Sequence, residues 1–461
     1  MEFLPNVQKV VISPAQEARD INPDTHLVLS FVSPPTIGTS GIITVHDVET
    51  GRIVDSLNLS IPSSPSPFGN GSTKANYTDT RTYQTNKVGG LDFYYFPIIV
   101  SDSVATIYLH NNRLEYNRTY AVVADPGVLT TLSRGNNSDT AWPFPWRFTT
   151  KAQGPAAGSS EVTVAADGSA DFNTVQGALD WAPSNSKTYT TIHIRDGEYK
   201  ELVFFQYKSK LILRGQSRNK TIVGYPNNSA FNPPNRQGSS RRPAFSFRGV
   251  ADLQLSGFTI MNYYRGQAEA LLIDGMRVVV DQMNLNGSGD ALTTYGTAYI
   301  ADTTLWGDGD TILGYGSVFW NHSTIITKSG PVSWTRTPQG VHGNVILNCT
   351  IISERGGSTF ARLPENTGGV APNWPFAEMV LLNTKTDGIS SVGWGPVQGP
   401  PFDASNVRFW EFNTMNLDGG SVDYTQRLNV SMQLMSPSDD RLVSLYSDPV
   451  FVLGGWKPIV H

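Results

Sequence analysis

The chain has 461 residues, of which 39% are hydrophobic and 16% charged, with 43 Gly and 29 Pro. This composition excludes a disordered chain and points to a turn-rich all-β protein, long enough for two domains. A formal net charge of -5, from 34 Lys and Arg against 39 Asp and Glu, gives no electrostatic case for nucleic acid or an anionic membrane as partner.

The opening MEFLPNVQKVV lacks the apolar core of a secretion signal. Eleven N-x-[ST] sequons, at Asn58, Asn70, Asn76, Asn117, Asn136, Asn219, Asn227, Asn286, Asn321, Asn348 and Asn429, lead us to expect a secreted, extracellular glycoprotein whose signal has been removed. A monomer is expected. Residues 1–150 contain about seven strand-like segments (THLVLSFV, GIITVHDV, RIVDSLNL, FPIIV, SVATIYLH, TYAVVAD and WRFTT) separated by Pro, Gly, Asn and Asp. That spacing predicts an immunoglobulin-like sandwich. The polar segment 62–90 reads as an extended loop within it. No cluster of His, Cys or carboxylates marks this module, so a spacer, a lid or a weak glycan binder is expected of it.

KAQGPAAGSS at 151–160 reads as a linker from its Gly, Ala, Pro and Ser content. After it, in 161–461, a strand is followed by a short amphipathic helix with Phe172, Val175, Ala178, Leu179 and Ala182 on one face. Such a helix suits the capping of an open solenoid end.

The remainder repeats. NLNGSGDAL at 284–292 and TLWGDGDTIL at 304–313 are the same phrase twenty residues apart, and related phrases stand at FTIMN, STIIT and CTIIS. Ile260, Leu285, Leu305, Ile325 and Ile351 therefore recur at intervals of 25, 20, 20 and 26. A period this short, rich in Thr, Ile, Val and Asn, predicts a right-handed parallel β-helix in which equivalent residues of successive coils stack. The single cysteine, Cys349, lies inside one of these phrases and reads as a small buried hydrophobe.

Stacking brings Asp290 and Asp310 side by side, since neighbouring strands lie roughly 4.7–4.9 Å apart. Two carboxylates that close resist joint ionisation, and one tends to keep a proton, which makes an acid and a base or nucleophile from identical residues. The alternative reading of the two Asp residues is as turn formers after Gly.

Residues 161–460 resemble the pectin methylesterase (pectinesterase) family. The family phrase VxxDGSGxFxTVxxAV is matched by VAADGSADFNTVQGAL, and GxYxE by Gly197-Glu198-Tyr199-Lys200-Glu201. QAVAL is matched by Gln267-Ala268-Glu269-Ala270-Leu271, and GYQDTL by Gly287-Ser288-Gly289-Asp290-Ala291-Leu292. GTVDFIFG is matched by Gly307–Gly314, and LGRPW by Phe360-Ala361-Arg362-Leu363-Pro364. The resemblance implies a β-helical carboxylic ester hydrolase that removes methyl esters from pectin without metal or other cofactor. It implies Asp310 as nucleophile, Asp290 as general acid and then base, Gln267 as oxyanion donor and Arg362 as the partner that orients Asp310.

Two positions depart from the family: Gly289 stands where a Gln precedes the acid Asp, and Pro364 stands where LGRPW has Trp. Gly289 predicts either a slow enzyme with Gln267 alone as donor or space for a bulkier or more decorated ester. Tyr295, Trp306, Tyr315, Trp334 and Trp374 are candidate platforms for sugar rings, Trp374 from an inserted segment. Three alternatives stand beside this reading. A β-helical glycoside hydrolase would also use two carboxylates. A pectate lyase would gather Asp302, Asp308 and Asp310 around calcium, and a pectin-binding relative would have no activity.

Overall fold

The computed structural model describes residues 10–71, 81–133, 136–139, 146–234, 240–363, 374–396 and 403–461. Asn76, Pro364 and most of the inserted segment before Trp374 lie outside the described residues.

Strict alternation of apolar and polar residues builds the N-terminal unit. Leu27–Ser30 and Ile42–Asp47 bury every second side chain, as strands with one solvated face do. Val11–Ser13, Leu27–Ser30, Val104–Ile107 and Ile98–Ser101 form one sheet. Ala18–Ile21, Trp146–Thr150, Thr119–Ala124, Ile42–Asp47 and Ile53–Asn58 form a second. Their inner faces share one core around Leu29, Val45, Val122, Trp146 and Phe148. Each of the seven expected segments contributes a strand here. The segment 62–90 differs from expectation, because Thr85–Val88 pairs antiparallel with Leu91–Tyr94 around the Gly89-Gly90 turn.

From residue 161 the chain winds into a parallel β-helix with a nine-stranded sheet and a larger, sixteen-stranded one. The larger sheet bends. Leu271–Ile273 pairs with Leu292–Thr294, whereas Val278–Asp281 of the same long strand pairs with Thr297–Ala301, so each coil presents three faces. The expected ladder is observed in register: Ile260 faces Leu285, Leu285 faces Leu305, Leu305 faces Ile325 and Ile325 faces Ile351. All five are fully buried, and burial of each such side chain contributes about 1.5–3 kcal/mol. Cys349 is buried beside them.

Corners of the coil recur with the same backbone. Gln282, Asp302, His322, Asn348, Asn383 and Asn413 all adopt positive φ, and Asn413 and Asn383 donate side-chain hydrogen bonds up the stack at 2.8 and 3.4 Å. The helix Val175–Trp181 caps the first coil: Thr174 Oγ1 accepts from Gly177 N at 2.9 Å, and Phe172, Val175, Ala178, Leu179 and Ala182 join the solenoid core. Among the described residues no helix is long and apolar enough to cross a membrane.

The two units are joined by far more than residues 151–160. Val88, Phe93, Tyr95 and Tyr108 of the first pack with Leu202, Phe204, Tyr225, Phe231 and Ala244 of the second. Polar contacts surround that cluster. Asp24 Oδ2 accepts from Asn173 N, Thr174 N and Thr174 Oγ1 at 2.8–2.9 Å, and Asn232 Nδ2 donates to Tyr94 O at 3.0 Å. One sequon is removed from consideration as a glycan site. Asn227 is fully buried, and its side-chain nitrogen donates to Arg241 O at 2.7 Å and Pro243 O at 2.9 Å.

Candidate active site

The short strands Leu292–Thr294, Ile312–Gly314, Ser333–Thr335 and Ala361–Arg362 stack as one face of the coil, and the candidate residues sit on it or at its entry corner. Gln267 and Gly289 form a bridge between successive coils. Asp290 N donates to Gly309 O at 3.3 Å one coil further on. Asp290 and Asp310 both adopt left-handed backbone, φ 58° and 43°, a conformation Asp tolerates better than most residues. This backbone agrees with the turn-former reading of both residues.

Across two coils Arg362 donates to Asp310 twice, Nε to Oδ1 at 3.0 Å and Nη2 to Oδ2 at 2.6 Å. The fork-on-carboxylate arrangement fixes both the direction and the charge partner of Asp310. Asp290 is more deeply placed. Its burial pushes the carboxyl above its ordinary value, the Asp310 charge adds to the push, and Arg242, Arg336 and Arg362 pull the other way. The two aspartates thus occupy different electrostatic settings despite equivalent positions in the repeat.

Four of the five aromatic candidates converge. Tyr295 and Tyr315, on successive coils, stack with ring centres 5.3 Å apart, and Tyr315 meets Trp374 at 5.4 Å. The guanidinium of Arg362 lies 4.5 Å from the Trp334 ring centre. Arg336 lies over both Trp334 and Tyr315, at 4.2 and 5.1 Å. Trp306 does not join them. Its strand neighbours in the nine-stranded sheet are Asn286 and Ile326, and alternation along Thr304–Gly307, with Leu305 in the core, turns Trp306 outward on that other face.

The space beside Gly289 is not open. A Cβ there would stand 2.8 Å from Gly266 O, whose carbonyl already accepts from Gly289 N at 2.7 Å. Glycine at 289 is thus required by a close backbone approach, and the expectation of room for a larger ester at that point is corrected.

Asp302, Asp308 and Asp310 do not gather around a common point. Asp302 occupies a different corner, Asp308 accepts from Ser329 Oγ at 2.7 Å, and Asp310 is held by Arg362. Among the described residues no group of three metal-ligating side chains converges. A cavity of about 70 Å³ lies between the N-terminal unit and the solenoid, lined in part by Asp24, His26, Tyr95, Tyr108, Gln176 and Glu201. Neither Asp290 nor Asp310 lines it.

Sequence reasoning missed Arg242, Arg336 and Glu269. Arg242 Nη2 stands 3.0 Å from Asp290 Oδ2, and its Nε donates to Glu269 Oε1 at 2.6 Å. The one signal was Glu269 itself, a charge where the family phrase QAVAL has Val.

A family model described as Pectinesterase matches residues 161–443. Pectinesterase 4 of Arabidopsis thaliana is 27% identical over 282 residues, which cover 56% of this chain and 46% of that protein. The chain thus spans about half the length of that relative. Among solved structures, the pectin methylesterase PemA from Erwinia chrysanthemi superposes with a TM-score of 0.53 at 22% identity, covering 66% of this chain and all of that one. A pectin methylesterase in complex with a hexasaccharide superposes with a TM-score of 0.51 at 21% identity, covering 65% and 98%. These likenesses carry the right-handed parallel β-helix. With a family model that matches more than half of its length, the chain belongs to the pectinesterase family.

Proposed function

We propose that this chain is a pectin methylesterase in which the Asp310 carboxylate attacks the carbonyl of a methyl-esterified galacturonate. Gln267 stabilises the developing oxyanion. Asp290 gives its proton to the departing methoxy oxygen, which leaves as methanol. A water molecule then gives a proton to Asp290, attacks the acyl carbon and restores Asp310. The observation that carries this reading is the unlike environment of the two carboxyls: Asp310 gripped by Arg362 and Asp290 held toward its protonated form by burial.

Tyr295, Tyr315, Trp334 and Trp374 supply ring faces along the same side of the solenoid, where pectic sugar rings would stack. The solved relative that holds a hexasaccharide supports an oligosaccharide ligand on this fold. Residues 1–150 are read as an immunoglobulin-like module, supported by two sheets around one core. Extracellular location, glycosylation and a monomeric state belong to the same proposal.

The deciding experiment supplies methyl-esterified homogalacturonan and follows three products. Methanol with no new reducing ends supports the esterase. New reducing ends without methanol, or unsaturated products, would replace it with a hydrolase or a lyase, and no product at all with a non-catalytic binder.

A further inference from the structure

Two other carboxylates buried in the solenoid, Glu378 and Glu411, have both oxygens partnered. Glu378 accepts from His342 Nδ1, Gly343 N, Arg408 Nη1 and Tyr446 Oη at 2.6–3.1 Å, and these partners hold its carboxyl below its ordinary value despite burial. Glu411 accepts from Trp394 Nε1 and twice from Arg427. Glu269 differs. It is equally buried, but apart from Arg242 it receives only Thr293 Oγ1 at 3.3 Å, and its Oε2 has no hydrogen-bond partner among the described residues. A structural carboxylate left half-satisfied is costly, and this one lies one guanidinium away from Asp290.

We propose that Glu269 acts through Arg242 as a positioning residue that keeps Asp290 the proton donor of the ester-cleaving site. This rests on the esterase reading above. Two carboxyls and one guanidinium share a buried space, so only one carboxyl is ionised at charge balance. The geometry decides which. Arg242 Nε makes a short, aligned hydrogen bond to Glu269 Oε1. Its Nη2 stands 3.0 Å from Asp290 Oδ2 without the alignment of a hydrogen bond, so Oδ2 has no hydrogen-bond partner among the described residues. Arg242 is thus committed to Glu269, and the proton resides on Asp290. Once Asp290 has passed that proton to the leaving oxygen, the same guanidinium lies 3.0 Å from the new carboxylate and stabilises it until water returns a proton.

Other charges bear on the set. Asp310, Arg336 and Arg362 face Asp290, and Tyr295 faces Arg242. Asp310 and Arg362 pair with each other and largely cancel, while Arg336 lies over Trp334. Burial pushes Glu269 up to about 7, with Arg242 opposing the push and Asp290 adding to it, and burial pushes Asp290 upward as well, so the two carboxyls titrate as a coupled pair.

Glu269→Gln keeps the shape and removes the charge, leaving Arg242 to draw the proton off Asp290. The alkaline limb of kcat is expected to move down by about one pH unit, with a roughly tenfold loss at neutral pH and little change in KM. Arg242→Gln removes the pull on Asp290 and is expected to move the same limb upward. Opposite displacements in the two folded variants, checked by circular dichroism, support the proposal. An unmoved limb in either, or displacement of both in one direction, overturns it. If Glu269→Gln does not fold, the direction of the Arg242→Gln shift decides alone. If the wild type releases no methanol, the esterase reading has failed, and carboxyl ¹³C NMR titration of Asp290, assigned with Asp290→Asn, tests the proposal by the same opposite shifts.

Discussion

Arg362 and Asp310 lie two coils apart in the solenoid, yet the guanidinium spans the face to place both its Nε and Nη2 on the two oxygens of the carboxylate, at 3.0 and 2.6 Å. On the proposed mechanism the contact serves chemistry more than folding, and both side chains are about one-fifth exposed. Asp310→Ala is expected to lower kcat for methanol release by on the order of 10⁴ or more, with an unchanged melting temperature. Arg362→Lys keeps the charge but loses the fork and should cost about 10- to 100-fold in kcat. Unfolding of Asp310→Ala would show instead that the residue serves the turn.

Gly289 predicts the opposite of what the family pattern alone implies. Restoring the family residue with Gly289→Gln drives a Cβ to within 2.8 Å of Gly266 O, next to Gln267. The expected outcome is a fall in kcat of roughly tenfold, shared by Gly289→Ala, from displacement of the oxyanion donor. A rise in kcat in Gly289→Gln, measured as initial methanol release, would show that the backbone yields and that a second donor was missing.

Docking of the N-terminal unit is expected to be a condition for a folded solenoid. Residues 156–461 made alone would expose Phe204, Tyr225 and Phe231 and leave Arg241, which donates to Asp92 O at 3.1 Å, without that hydrogen bond beside Arg242. Loss of soluble protein is expected. In the full chain, Phe93→Ala should destabilise by about 3–5 kcal/mol, because Phe93 is fully buried with its ring centre 5.6 Å from Phe204. Solubility and full specific activity of 156–461 would make the unit an appendage after all.

The interface also carries a pH dependence. Burial raises Glu201 to about 8 even though Val175 N and Gln176 N donate to it. Between about pH 6.5 and 8 the folded chain keeps this proton while an unfolded chain, whose ordinary carboxyl value is 4.5, has lost it. The native state then binds more protons and stability falls as pH rises. Burial lowers His26 to about 4, so that group contributes its own change below this window. Chemical denaturation should show a decline of about 2 kcal/mol from pH 6.5 to 8, and Glu201→Gln should remove the larger part of it, leaving the smaller part that Glu269 contributes near pH 7. An undiminished slope in that variant would place the titration elsewhere.

The repeat phrases around Leu285 and Leu305 determined the solenoid by themselves, because a coil of fixed length forces equivalent residues into register and alternation within each phrase chooses which side chain enters the core. The same logic placed Asp290 and Asp310 on adjacent coils, and the Arg362 motif gave its partner. Short-range pattern also marked seven of the strands of the first unit and the helix that caps the solenoid. Periodicity was blind to contacts between residues with no common repeat position. Only the tertiary structure brought Arg242 from its own segment onto Asp290, placed Trp306 on a different face from the other aromatics and filled the space beside Gly289 with a carbonyl. It alone docked Phe93 against Phe204 across the two units. Each of these depends on where distant backbones meet in space, and local sequence carries no record of that distance.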